Sequence, residues 1–455
     1  MNPSRYFHGK SPITCVIAAA LGATLTLCTA KEKSEIPQPN ATELEWLDAG
    51  IGIFVHWSPS VYQEKDTEKD AVTTPREKIN PDQFDAGKIA QAAKSANAGY
   101  LIFVAKHVGG YCAWQTATTD YSIKTSPWKN GKGDMVGDMA KACKEQGLRF
   151  GVYLSPRSDV HKADVGGRTA TPEEQKEYNQ IYRKQLTEIL TSYGPMFEMW
   201  FDGGNVVPVN DLINKLAPEI ITFQGARTHS IRWVGTEHGF APYPCWNTID
   251  WKKGEAPKEG AGTPTGNVWC PAECDVSILR PNWFWKEGSD SHILSLDDLV
   301  EIYYMSVGRG ANLLLNITPN GHGAVPEAQI QRLKEFGDDI KARFAKPLGT
   351  AQGKGDTAVL DFPAATAINH LQIREDLAKG ERVRQFVIEG RDADGKWTTL
   401  FQGSQIGARQ IIPIQPVTVM GLRLKVEKSF GTASIRDLSA FHVDRPVPKT
   451  AYRSK

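Results

Sequence analysis

The sequence predicts an α/β protein, a (β/α)8 TIM-like barrel followed by a C-terminal β-sandwich domain, and three observations carry that expectation. From Leu44 to about Ala345, short apolar β-rich runs alternate with stretches of helical periodicity, the pattern of a parallel sheet covered by helices. The alternation lasts about 300 residues, beyond most doubly wound domains and suited to a barrel with inserted loops. After Pro347 the helical periodicity stops, and short strands follow one another between Gly, Asp and Lys turns.

In chain order, residues 1–30 read as an export signal: Arg5 and Lys10 precede the apolar run CVIAAALGATLTL (15 to 27), too short to span a bilayer. LTLC (25 to 28) is similar to a bacterial lipoprotein cleavage box, and Cys28-Thr29-Ala30 also suits ordinary cleavage. Lipid anchoring and simple secretion both stay open, and the mature protein is expected to be exported: periplasmic, secreted or lipid-anchored. Residues 31–43 form a polar linker, 44–346 the barrel and 347–455 the β-sandwich.

The clearest barrel strands are IGIFVHW (51 to 57), YLIFVAKH (100 to 107), LRFGVYLS (148 to 155), MFEMWFD (196 to 202), IITF (220 to 223) and NLLLNIT (312 to 318). Their near-continuous apolarity means burial on both faces, as in parallel sheets. Between the second and third, Asp134 is expected to cap a helix. Met135, Val136, Met139, Ala140 and Cys143 recur there at helical spacing, and Gly147 ends it. In the last hundred residues HLQIRE, RQFVIEG, TTLFQG, QIIPI, GLRLKVEK and AFHV are the strand candidates.

Composition narrows the function. Lys plus Arg total 53 and Asp plus Glu 52, for a formal net charge of +1, so no global field draws the protein to nucleic acid or anionic lipid. A neutral partner fits, with a membrane reached only through an N-terminal anchor. No G-x-G-x-x-G or G-x-x-x-x-G-K follows a strand, so no nucleotide is implied and no cofactor is expected. Outside the leader, Cys112, Cys143, Cys245, Cys270 and Cys274 are odd in number, which argues against a disulfide framework while leaving one or two bridges open. The pair at 270 and 274 lacks zinc spacing and a His-x-x-His companion, so no metal site is read there.

Barrel chemistry sits where strands end at the C-terminal mouth. Here the first strand ends His56-Trp57, the second Lys106-His107, the third Tyr153 then Ser155, and the fourth Trp200 then Asp202. Asp202 follows an aromatic wall and precedes Gly203 and Gly204, small residues that let a ligand approach. Carboxylate, aromatic wall and neutral ligand together point to a sugar. Hydrolysis at an acetal carbon needs a second carboxyl group on the opposite side. Glu237 in IRWVGTEHG (231 to 239) and Glu273 in WCPAECDVSI (269 to 278) both qualify, and spacing does not choose between them. His56 and His107 are candidate partners for sugar hydroxyls; Trp57, Trp114, Trp200, Trp283 and Trp285 are candidate stacking platforms.

Taken together, these runs resemble the family 29 glycoside hydrolases, the retaining α-L-fucosidases. The resemblance rests on WLDAGIGIFVHW (46 to 57), YLIFVAKH (100 to 107), GGYCAW (109 to 114), TDYSIKTSPW (119 to 128), GLRFGVYLS (147 to 155), MWFDG (199 to 203) and GANLLLNITPN (310 to 320). WVGTEHG (233 to 239) and WCPAECDVSI look like the branch that cleaves α-1,3 and α-1,4 linked fucose, and the tail from about 350 is similar to that branch's appended β-sandwich. The resemblance implies a nucleophile at Asp202 and ranks Glu237 above Glu273 as acid/base. It also implies sugar contacts at His56, His107, Tyr153, Trp200 and Trp114, and a fucosylated oligosaccharide or glycoprotein glycan as partner. One departure stands out: where the family commonly carries K-H-H-D-G, this chain has Lys106-His107-Val108-Gly109-Gly110. Val108 cannot donate a hydrogen bond. Two alternatives therefore accompany the main expectation: a glycan-binding protein without catalysis, and a glycosidase of altered sugar specificity.

Overall fold

Eight strands, most of them apolar runs buried on both faces, close into a parallel barrel that leaves no edge to solvent. The structure, a computed structural model, describes residues 36–63 and 74–452. The leader read in residues 1–30 lies outside them. The barrel strands are β1 (Ile51–Val55), β2 (Tyr100–Lys106), β3 (Arg149–Leu154), β4 (Glu198–Trp200), β5 (Ile221–Phe223), β6 (Ser230–Trp233), β7 (Ala272–Ser277) and β8 (Asn312–Ile317). Neighbours pair in parallel in chain order, and β8 closes on β1 with Ile51 opposite Leu313. Six of these match the strands expected; β6 is the short β-like run that precedes Glu237, and β7 lies in the segment read as a carrier of Glu273.

Among the described residues, seven α-helices accompany the strands: α1 (Ala41–Ala49), α2 (Ala86–Ser95), α3 (Met135–Glu145), α4 (Pro172–Ser192), α5 (Asn210–Leu216), α6 (Leu296–Met305) and α7 (Glu327–Phe344). In α3 the Asp134 carboxylate accepts from the Gly137 N–H at 2.9 Å, as expected of an N-cap. The chain leaves α3 through Gly147 at φ +64°. The pleat sorts side chains into two layers. Ile51, Ile53, Val55, Val152 and Met199 face the helices, whereas Phe54, Tyr100, Ile102, Tyr153, Trp200 and Leu314 fill the barrel.

The C-terminal domain is antiparallel: β9 (Gly349–Gln352), β10 (Thr357–Glu375), β11 (Val383–Arg391), β12 (Trp397–Gly403), β13 (Gln410–Ser429) and β14 (Ile435–Phe441), in sheet order β9-β14-β10-β13-β11-β12. The runs QIIPI and GLRLKVEK, read as separate, are halves of the single strand β13. Register shifts where β13 pairs with β10 accommodate the bend. Alternate residues such as Leu371, Ile373, Phe386, Ile388, Leu422 and Leu424 gather one apolar core. The domain grips the barrel through polar contacts: Tyr304 and His370 meet at 2.8 Å, Gln405 accepts from the Cys245 N–H and Glu381 from the Asn247 N–H, each at 2.8 Å. The five cysteines among the described residues are buried and unbridged, so the bridges left open by the sequence are not formed. No helix among the described residues is long and apolar enough to cross a membrane.

Candidate active site

Alternation along β4 answers why an apolar strand ends on an acid. Glu198, Trp200 and Asp202 share the inward face, with Met199 and Phe201 packed outward. Asp202 is the topmost of the three and reaches the mouth. The chain then turns back through Gly203 (φ +74°) and Gly204 (φ +79°), conformations that cost glycine least. The Gly203 N–H donates to Gln224 and the Gly204 N–H to the Phe201 carbonyl, both at 2.9 Å, which fixes where the carboxylate begins.

A cavity of about 210 Å³ opens at this mouth, lined by Phe54, His56, His107, Tyr153, Trp200, Asp202, Glu237, Asp275, Trp283 and Phe284. At about 30 Å³ per water it holds roughly seven waters, the space of one sugar ring rather than a chain. A larger hollow, lined by Phe201 and residues 205–211 with Ala226 and Gly254, contains none of the predicted site residues. Chemistry, not size, singles out the smaller one.

Its walls are rigid. The Tyr153 hydroxyl donates to Asp202 Oδ2 at 2.9 Å. Tyr153 stacks on His107 with ring centroids 5.3 Å apart, and Trp200 lies flat on Phe223. His56 Nδ1 bonds Asn316 Oδ1 at 2.8 Å, and Asn316 is held in turn by Ser277 and the Trp283 carbonyl. Burial, with His107 beside it, holds the His56 imidazole well below its ordinary range, so it acts as a neutral hydrogen-bonding group. His107 owes its inward direction to a bulge: Val104 pairs Tyr153 but Lys106 pairs Leu154, so Ala105 is an extra residue. Lys106 consequently points outward, fully buried, to the Tyr178 hydroxyl and Gln185 on α4.

Glu237 enters from the loop after β6, its side chain 44% exposed at the rim. Arg280, from the loop after β7, donates to the Glu237 carbonyl, stands 3.7 Å from its carboxylate and meets His238 Nε2 at 3.2 Å. The two carboxyl groups named from the sequence thus line one cavity, Asp202 on the barrel wall and Glu237 at the rim.

Four predicted contacts lie outside it, among them Trp285, which packs against the outer apolar layer. Trp57 follows His56, so the pleat turns it to the outer layer, where its indole donates to the Asn320 carbonyl. Trp114 is buried against α4 and donates to Glu188 at 3.0 Å. Glu273 faces inward on β7 but one pleat too low: it is fully buried, accepting from the Tyr100 hydroxyl at 2.7 Å and from the Trp200 indole at 3.0 Å. Its carboxyl neighbours Glu198, which accepts from the Trp46 indole at 2.8 Å. Burial raises both acids, and the charge of Glu198 raises Glu273 further, so the pair keeps a proton. Glu273 is a footing for Trp200, and Glu273→Ala, which strands two buried donors, should destabilise the fold by about 2–5 kcal/mol in a denaturant titration. A loss below about 1 kcal/mol would show that water replaces the carboxyl. Sequence reasoning missed Phe54, Phe284 and Asp275; Phe54 and Asp275 sit two residues from His56 and Glu273, a spacing that alternation makes readable once strand ends are known.

The chain is similar to known proteins over most of its length. The family model described as Alpha-L-fucosidase matches residues 26–343. Alpha-L-fucosidase 1 of Arabidopsis thaliana is 32% identical over 447 residues, covering 87% of this chain and 85% of that protein. A crystal structure of a putative alpha-L-fucosidase from Bacteroides thetaiotaomicron superposes with a TM-score of 0.83 at 30% identity, covering 90% of this chain and 100% of that one. A Ruminococcus gnavus GH29 fucosidase in complex with fucose superposes with a TM-score of 0.77 at 25% identity, covering 92% and 96%. An eight-stranded barrel with an antiparallel C-terminal sheet, carboxyl groups in a sugar-sized cavity and these relatives make the chain an enzyme of the α-L-fucosidase family, glycoside hydrolase family 29.

Proposed function

We propose that this α-L-fucosidase is exo-acting and retaining, releasing terminal L-fucose, α-1,3 or α-1,4 linked, from oligosaccharides or glycoconjugates. The observation that carries this reading is Asp202 and Glu237 on one sugar-sized cavity, the first oriented by the Tyr153 hydroxyl. In a double displacement, Asp202 attacks the anomeric carbon as Glu237 protonates the departing oxygen. Water, deprotonated by Glu237, then releases the sugar from Asp202. Glu237 at the rim suits a group that must reach the bond to the rest of the glycan. Neutral His56, with His107 and Trp200, supplies hydrogen bonds and an apolar face to the ring. Linkage preference rests on the resemblance of WVGTEHG and WCPAECDVSI to the α-1,3/1,4 branch.

Altered sugar specificity is the second reading, motivated by Val108, which leaves His56 and His107 as the histidines lining the cavity. Incubation with α-1,2, α-1,3, α-1,4 and α-1,6 linked fucosyl oligosaccharides, followed by proton NMR of the first-formed sugar, tests both. Release of α-L-fucose from the 1,3 and 1,4 linkages is expected. A β-anomer as first product would exclude retention, and cleavage of other glycosides only would favour the second reading. Export is likewise proposed, on the basic n-region and apolar h-region of residues 1–30; the N-terminal mass of the mature protein tests it.

A further inference from the structure

The cavity holds a third carboxyl group, which the double displacement does not use. Asp275 stands one pleat above Glu273 on β7 and lines the cavity together with Asp202 and Glu237. It is 6% exposed, and that remainder opens on the cavity. Its Oδ1 accepts from the Trp233 indole on β6 at 2.5 Å, the one side chain that donates to it among the described residues. That bond fixes the rotation of the carboxyl group and leaves Oδ2 for whatever fills the cavity.

Burial foremost, opposed by the Trp233 hydrogen bond and reinforced by Glu237 and Asp202, raises the Asp275 carboxyl to about 7. With Oδ1 accepting from the indole, the proton belongs on Oδ2, and a carboxylic acid kept neutral can donate a hydrogen bond.

Depth decides which part of a substrate Asp275 meets. Glu237 stands at the rim, its side chain 44% exposed. Asp275 is enclosed in the barrel wall between Trp233 on β6 and Leu314, its partner in register on β8. A group at the rim reaches the bond being broken; a group in the wall meets the ring held inside. A fucosyl ring carries hydroxyl groups at carbons 2, 3 and 4, and each gives up water on entering and needs a partner. The Tyr153 hydroxyl is engaged by Asp202 and the Trp200 indole by Glu273. The imidazoles of His56 and His107 and the carboxyl group of Asp275 are among the lining groups left to meet them.

We propose that Asp275 is a substrate-binding residue that sets sugar specificity, its Oδ2 hydrogen-bonding one ring hydroxyl of the fucosyl group held in the cavity. The inference rests on the proposed release of fucose at this cavity and adds a residue to its recognition.

The test compares wild type with Asp275→Ala on nitrophenyl α-L-fucoside and on its 2-, 3- and 4-deoxy counterparts. Asp275→Ala should lower kcat/KM on the parent fucoside by about 5- to 100-fold. Deoxygenation at one position should cost the wild type a similar factor and the variant almost nothing, because its partner is already gone. The other two deoxygenations should cost both proteins alike. Asp275→Asn, which keeps a donor and an acceptor in place, should lose several-fold less than Asp275→Ala. The loss in Asp275→Ala should also be the same on a fucosylated oligosaccharide as on the nitrophenyl fucoside, since Asp275 meets the ring and not the leaving group. A merely structural role would lower all four sugars by one factor, and that result, with every deoxygenation costing the two proteins alike, overturns the inference. If Asp275→Ala fails to fold, Trp233→Phe decides: it removes the donor that orients the carboxyl group and should blunt the response to one deoxygenation, whereas a uniform loss there overturns the inference equally. A wild type that leaves nitrophenyl α-L-fucoside uncleaved defeats the proposed reaction itself rather than the role of Asp275.

Discussion

Replacing Asp202 by alanine is expected to abolish fucose release, lowering kcat by at least about 10⁴-fold, or about 5.5 kcal/mol of transition-state stabilisation. The side chain is exposed at the mouth and is held by one side-chain hydrogen bond, from Tyr153. Its loss should therefore change the free energy of unfolding by less than about 1 kcal/mol, which separates a chemical effect from a structural one. The variant also offers a positive signature. Azide fits the space vacated by the carboxylate and can attack the anomeric carbon from the same side, while Glu237 still protonates the leaving alcohol. Partial rescue of an aryl fucoside by azide, with a β-fucosyl azide as product, is the expected result. A folded Asp202→Ala protein that retains more than a hundredth of the activity would remove Asp202 from the role of nucleophile.

The second large effect belongs to Glu237, and its size should depend on the leaving group. With an oligosaccharide the departing alkoxide needs a proton, and Glu237→Ala should cost about 10²–10⁴ in kcat/KM. With a nitrophenyl fucoside the leaving group departs without help, so kcat/KM should fall far less. Release from Asp202 then becomes limiting, because water has lost its base, and a burst of nitrophenol should precede a slow steady rate. Glu273→Ala provides the contrast. Glu273 touches Trp200 and Tyr100 below the cavity, so its loss should reduce stability and affect both substrates alike. Equal effects of Glu237→Ala on the two substrates would argue that it, too, is only structural.

Much of the barrel is legible because a parallel strand buried on both faces must be apolar throughout, and few other elements combine that run length with β-branched and aromatic residues. IGIFV, YLIFVAK and NLLLNI could hardly be anything else. β6 and β7 are less legible for the same reason in reverse. SIRW carries a buried arginine, tied to the carbonyls of Gly260, Cys270 and Trp246. AECDVS places two acids inside the barrel, where a composition rule expects none. Both strands violate the apolar pattern because their polar groups find partners that only the closed structure supplies.

The fold class, the strand that ends in Asp202, and a short list of groups able to act on a sugar are legible in the chain before it folds. Alternation even carried the inward direction of Trp200 and Asp202, since side chains on one strand change face at every residue. Convergence of those groups is not legible there. Glu237 lies 35 positions after Asp202 in the chain, and no local rule brings its loop over the mouth; closure of the barrel and the grip of Arg280 do. The bulge at Ala105 is equally invisible in composition, yet it turns Lys106 out and His107 in. Glu273 and Asp275 differ by one pleat, and depth in the barrel makes the first a footing and the second part of the cavity wall. Depth, register and loop closure depend on contacts between residues far apart in the chain, which is why they appear only when the chain is folded.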